Sequence, residues 1–292
     1  MNYQLQNSPY KSKRIAWISS AFLLCSGLVA AQSQQPPPIL TPQQEARSEL
    51  NAAARAYREG KFAEAQRHSE RASELDPENS SAPMFVARSI HAQFKPGDFT
   101  TENVGRAQEA IAAYQRILSK NRFDDEAYKA IASIYGNLKE DELLSNWILQ
   151  RAADTSFDND RRSEAYVVLT SKYWDCSYKF TELPTHKIVT VDVQRKRSFT
   201  RYRKGNDEGE FGNARDCASR GLEMAELAIA LKPDSVSAWS YKTNVLLELA
   251  KFAEMSGDVQ QKIELQGQYD AALKETTRLS EEEREQKEKA KP

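Results

Sequence analysis

Two stretches far apart in the chain end alike. Ala65, Ala72, Leu75 and Asp76-Pro77 stand in the same order and at the same offsets as Gly221, Ala228, Leu231 and Lys232-Pro233. Such recurrence constrains the fold strongly, because a unit too small to bury its own apolar face must stack on a copy of itself. The first stretch comes after an Ala-rich amphipathic run, Ala46 to Arg58, and a Gly60-Lys61-Phe62 turn. Small residues let two antiparallel helices approach closely, glycine allows a tight turn, and proline stops the second helix. Helical spacing of apolar residues continues to about residue 280. It runs through Val86, Ala87 and Ile90, then Ala110, Ile111, Tyr114 and Leu118. It resumes at Tyr128, Ile131, Ala132 and Tyr135, then Leu144, Ile148, Leu149 and Ala152. Tyr166, Leu169 and Tyr173 continue it, and Trp239, Val245, Leu246 and Leu249 close it. With 11 Gly and 11 Pro in 292 residues, the chain is too poor in turn formers for a β-sandwich.

This pattern resembles the tetratricopeptide repeat, a helix–turn–helix unit of about 34 residues. Ala53, Tyr57, Gly60, Phe62, Ala65, Ala72 and Pro77 carry the resemblance in the first unit. Glu49 and Ser69 depart from it, standing where aromatic residues are usual. The expected fold is all-α: an α-solenoid of about five units over residues 43–280. The strongly charged segment 281–292 is expected to be frayed helix or disorder.

In tetratricopeptide arrays the first helix of each unit faces a concave groove that holds peptides. The resemblance carries that role to Arg47, Leu50, Tyr57 and Arg58 in the first unit and to Met84, Arg88 and His91 in the second. It continues with Lys129, Ser133 and Asn137, then Ser171, Trp174 and Asp175, and Asn244 in the last unit. Each of these residues has packing between units as its alternative role. The family's carboxylate clamp is not expected, since Leu50 and Ala54 occupy its Lys and Asn places. A protein or peptide partner is therefore implied, with no cofactor and no nucleic acid.

Residues 179–213 interrupt the helical pattern. Ile188 to Val193 and Ser198 to Arg203 alternate like two short strands, predicting a small β-hairpin. Arg195, Lys196, Arg197, Arg201 and Arg203 make it basic, with Phe199 and Tyr202 interleaved. Two readings stand: an anion-contacting finger, or a solvated loop balanced by Asp207, Glu208 and Glu210. In either case the segment is expected to be dispensable for folding.

Catalytic and metal-binding patterns such as HExxH, CxxC, Walker A and GxSxG are absent from the sequence. The balance of 41 basic and 42 acidic residues favours neither a nucleic-acid binder nor a polyanion mimic. His68 is expected on the solvent side of its helix, and Asp124-Asp125-Glu126 at a helix start. No enzyme is expected.

Lys11, Lys13 and Arg14 precede an uncharged run, Ile15 to Ala31, with Val29 and Ala31 flanking a cleavage site before Gln32. This is the pattern of a secretory signal peptide over residues 1–31, with a Pro/Gln-rich linker after it over 32–42. The alternative is an uncleaved anchor, with residues 15–31 as the membrane contact. The expected location is the periplasm or the secreted space of a bacterium, or else the outer face of the inner membrane. Cleavage removes Cys25 and leaves Cys176 and Cys217. Repeat spacing places these two on either side of the insertion's neck, so a disulfide is expected there in an oxidising compartment. The alternative is a pair of small reduced side chains packed between helices.

Overall fold

The computed structural model describes residues 40–192, 194 and 196–290. The expected signal peptide, most of the linker, and Arg195 of the basic insertion lie outside the described residues. Among the described residues, ten α-helices and two strands succeed one another. The first seven are α1 (Pro42–Arg58), α2 (Phe62–Leu75), α3 (Ser81–His91), α4 (Thr101–Lys120), α5 (Asp125–Asn137), α6 (Asp141–Ala153) and α7 (Asn159–Thr181). Then come β1 (Lys187–Asp192), β2 (Arg197–Tyr202), α8 (Glu208–Leu231), α9 (Val236–Ser256) and α10 (Val259–Lys289). Every helix packs on the next, and α1 reaches α3 as α7 reaches α9. The result is an α-solenoid of five helical hairpins with one small two-stranded sheet.

Local chemistry sets the boundaries. Asp124, Asp158, Asp207, Ser235 and Asp258 each accept a hydrogen bond from a backbone N–H in the first turn of the adjoining helix. Thr41 and Gln44 form a reciprocal capping box on α1. Ala46, Ala53, Ala65, Ala72 and Ala82 are wholly buried where α1, α2 and α3 meet, as close helix approach requires. Glu49 and Ser69, the departures from the repeat, are explained by contacts. Glu49 Oε2 lies 2.5 Å from His68 Nδ1, and the Ser69 hydroxyl donates to the Ala65 carbonyl at 2.9 Å. His68 is thus turned toward α1 rather than toward solvent, because Glu49 supplies a partner where the repeat has an aromatic ring. Leu149, expected to pack, is exposed, while Ile148 and Ala152 beside it are buried.

Each of the five connections between paired helices holds a residue in the left-handed region: Gly60 (φ 75°), Gly97 (φ 84°), Lys139 (φ 59°), Lys196 (φ 50°) and Gly257 (φ 74°). A side chain in this conformation costs about 1–3 kcal/mol, whereas glycine in the unfolded chain gives back only about 0.5–1 kcal/mol. Lys139→Gly is therefore expected to stabilise the protein by about 1 kcal/mol. Loss of the Lys139 Nζ contact with the Phe99 ring, 5.5 Å from its centroid, trims that gain. The urea midpoint checks it, and a lowered midpoint would contradict the turn's strain.

The insertion is shorter than residues 179–213. α7 runs to Thr181 and α8 begins at Glu208, because Phe180 and Phe211 extend the helical core. The strands occupy Lys187–Asp192 and Arg197–Tyr202, one residue earlier than their sequence pattern, and pair antiparallel from Lys187↔Tyr202 to Asp192↔Arg197. The segment's base is also built into the core, contrary to its expected dispensability. His186 is buried against Phe180, and Tyr202 packs on the cluster of Phe180, Phe211 and Phe252. At the other end of the array, α10 continues as an exposed helix to Lys289.

Candidate functional site

The first helices of the first two units bring Tyr57, Arg88 and His91 into one cleft of about 590 Å³, which the first helix of the third unit closes. Tyr57 comes from the end of α1, and its ring meets Phe62 and Phe85 edge-on at 5.1 and 6.4 Å. Arg88 and His91, three apart on α3, share a face by helical geometry. Tyr114 of α4 forms the floor, and Glu126 and Lys129 of α5 form the far wall.

The cleft's electrostatics are internally settled. Arg88 forms a two-pronged ion pair with Glu126 through Nε and Nη2. The hydrogen bond to Glu126 raises the Arg88 pKa despite the opposing effect of burial. Lys129 pairs with Glu164 of α7 at 2.8 Å, so ion pairs link α3 to α5 and α5 to α7. Burial lowers the His91 pKa and pushes the Tyr114 phenol up, so both rings are neutral near pH 7. His91 Nδ1 and the Tyr114 hydroxyl stand 3.4 Å apart. Neutral donors and acceptors beside aromatic faces suit an extended polypeptide, which offers backbone amides and side chains.

The other expected groove residues do not join this cleft. Arg47 and Arg58 are exposed on α1. Asn137 Nδ2 donates to the Ser133 hydroxyl of its own helix at 3.5 Å. Trp174 forms a separate aromatic step with Tyr178 at 4.9 Å and with Tyr241 of α9 at 6.3 Å. Asp175, beside it, pairs with Lys179 at 2.5 Å. Asn244 is half-buried on α9. In the basic insertion, Arg203 Nε donates to the Thr185 carbonyl at 2.7 Å, while Lys196, Arg197 and Arg201 are exposed.

A second cavity, of about 270 Å³, shares only Lys129 with the groove expected from sequence. It lies between α5, α6 and α7, walled by Tyr128, Leu144, Ile148, Ala165 and Val168. Arg151 closes one side, buried with its guanidinium 4.0 Å from the Tyr128 ring centre and paired to Asp125. Burial pushes the Tyr128 phenol up to about 12. Its one sequence signal is an arginine three residues after Ile148, on the packed face of α6. Among the described residues, no group of three or more His, Cys, Asp or Glu is placed to hold a metal ion. Among the same residues, no helix is long and apolar enough to cross a membrane.

The paired helices, their alanine seams and the cleft between first helices define an α-solenoid of helical hairpins. No protein-family model matches the chain. No curated protein matches it either. Among solved structures it is similar to MamA 41-end from Desulfovibrio magneticus RS-1, at 15% identity and TM-score 0.36, over 83% of this chain and 97% of that one. It is also similar to YrrB, described as a TPR protein with an unusual peptide-binding site, at 11% identity and TM-score 0.34, over 78% and 90% of the two chains. A third is a tetratricopeptide repeat protein from Parabacteroides merdae ATCC 43184, at 14% identity and TM-score 0.34, over 81% and 90%.

Proposed function

We propose that this protein is a non-enzymatic scaffold that holds a protein or peptide partner in the cleft between its first three units. The observation that carries the proposal is the convergence of Tyr57, Arg88 and His91 with Tyr114 on one concave surface. Its charged groups are already paired, so a partner gains from aromatic contact and backbone hydrogen bonds rather than from a carboxylate clamp. A photo-crosslinking residue at Tyr57 is expected to capture the partner, whereas one at Arg67, exposed on α2, is not. Tyr57→Ala combined with His91→Ala should weaken that partner's binding roughly tenfold or more, as loss of central interface residues does. Equal capture from both positions would place the binding surface elsewhere.

The same reading puts the protein outside the cytoplasm, in the periplasm or the secreted space. The segment before Gln32 supports this, as does the Cys176–Cys217 bond, since such bonds persist in oxidising compartments. The second reading, an accessory subunit held at the inner membrane by residues 15–31, rests on the same uncharged run. N-terminal sequencing of the native protein separates them: Gln32 as first residue supports release, and a retained segment supports the anchor.

A further inference from the structure

The β-hairpin is held firmly at its base and, among the described residues, left open along its length. Arg203 N donates to the His186 carbonyl at 3.0 Å, and the strand register carries the pattern outward from there. In an antiparallel ladder, hydrogen-bonded pairs alternate, so Arg201, Phe199 and Arg197 turn their backbone groups toward β1. Ser198, Thr200 and Tyr202 turn theirs outward. Glu254 of α9 accepts the outward N–H of Tyr202 at 3.2 Å, so a carboxylate already caps this edge where the protein can reach it. Farther out, Ser198 and Thr200 are exposed.

Side chains along β2 alternate in the same way. Arg197, Phe199 and Arg201 share one face, with Phe199 51% exposed, and Arg201 stands opposite the apolar Ile188. On β1, Val189 and Val191 are 60% and 63% exposed on the other face. Two strands with open edges and uncovered apolar residues on both faces are marginal alone. A loop built to enter a membrane carries its apolar residues at the tip. Here the sequence between the strands is Val193-Gln194-Arg195-Lys196, and the apolar residues lie along the shaft.

We propose that the outer edge of β2 is a docking site for an extended acidic segment of a protein partner, which adds as a third, antiparallel strand. This surface is separate from the cleft. Ser198 and Thr200 exchange backbone hydrogen bonds with the added strand. Its residues opposite Arg197, Phe199 and Arg201 fall at the closely spaced pairs, where an acid–x–apolar–x–acid order meets guanidinium, ring and guanidinium.

The test uses the full chain and a labelled peptide of sequence Thr-Glu-Thr-Val-Thr-Glu-Thr, read by fluorescence anisotropy. Thr200→Pro removes an outward N–H without touching the hairpin's own ladder. It is expected to weaken the peptide roughly tenfold or more, as is backbone N-methylation of the peptide's central residues. Because Thr200→Pro can also unsettle the strand, a charge swap provides an independent arm. Arg197→Glu with Arg201→Glu should reject the peptide and accept its counterpart with lysine in place of glutamate. Binding indifferent to both Thr200→Pro and N-methylation overturns the proposal. So does an absence of peptide binding up to about 1 mM, far above the affinity of weak recognition. Capture of phosphatidylglycerol vesicles or single-stranded DNA through Arg197 and Arg201, without the peptide, overturns it too.

Discussion

Lys251→Met is expected to destabilise the protein by about 3–5 kcal/mol, the cost of leaving a buried charge without its partner. Lys251 and Glu248 are 7% and 1% exposed, one turn apart on α9, and bonded at 2.8 Å. The pair is completed across the chain. Lys251 Nζ also donates to Glu182 at 3.1 Å, and the Thr181 hydroxyl donates to Glu248 at 2.6 Å. The rings of Tyr178 and Tyr202 lie 5.4 and 5.0 Å from the same ammonium. Methionine keeps the volume but strands Glu248. The double change Lys251→Met, Glu248→Leu should recover most of the loss, because a buried pair replaced whole by apolar groups costs little. A small effect for the single change, read from urea midpoints, would mean that water reaches this pair.

The network also fixes a pH window. Burial alone would lower the Lys251 pKa, but Glu248 and Glu182 hold it above its ordinary 10.5. Burial would raise Glu182, yet the hydrogen bonds from Lys187 and Lys251 hold it below its ordinary 4.5. Glu182 therefore contributes fully above 4.5, and its share is lost as pH falls through its depressed value in the folded state. Lys251 contributes fully below 10.5, and its share is lost as pH rises through its raised folded value.

This network explains why part of the molecule is illegible in sequence. Repeats announce themselves through residues that satisfy local rules: alanines at helix seams, Gly60 in its turn, prolines after α2 and α8. Each unit touches its neighbours, so short-range pattern is nearly the whole structure. Lys251 and Glu248 sit inside the run Asn244 to Met255, and nothing in their spacing names a partner for either charge beyond α9. Their partners, Thr181 and Glu182, lie across the insertion, and helical spacing carries no trace of them. The cleft divides in the same way. Repeat position marks Arg88 and His91, whereas Tyr114 and Glu126 become wall residues only through the packing of α4 and α5 on α3. The insertion's boundaries slip for a related reason. Phe180 and Phe211 continue their helices because Phe252 of α9 waits between them, at 5.9 and 5.5 Å.

Cys176→Ala with Cys217→Ala is expected to lower stability by up to about 4 kcal/mol, the chain-entropy value for a loop of this size. The cysteines are 41 residues apart in sequence and bonded, with Cα atoms 6.0 Å apart. Repeat spacing places them at the helix ends, but α7 continues to Thr181 beyond Cys176 and α8 starts at Glu208 ahead of Cys217. The bond therefore ties two helices along their length and leaves the aromatic cluster and hairpin mounted beyond it. That position governs what its loss does. Unfolding of the distal part frees a loop that the bond would otherwise hold closed, so the penalty falls on the insertion and its platform first. Hydrogen exchange should quicken around Phe180, Tyr202 and Phe211 before the first three units respond, as expected where solenoid contacts are local. Cys176 is exposed, so reductant should reproduce the double replacement. Denatured, unreduced native protein should show no free thiol from this pair. Two free thiols would remove the bond, the predicted loss, and one of the two supports for a location outside the cytoplasm.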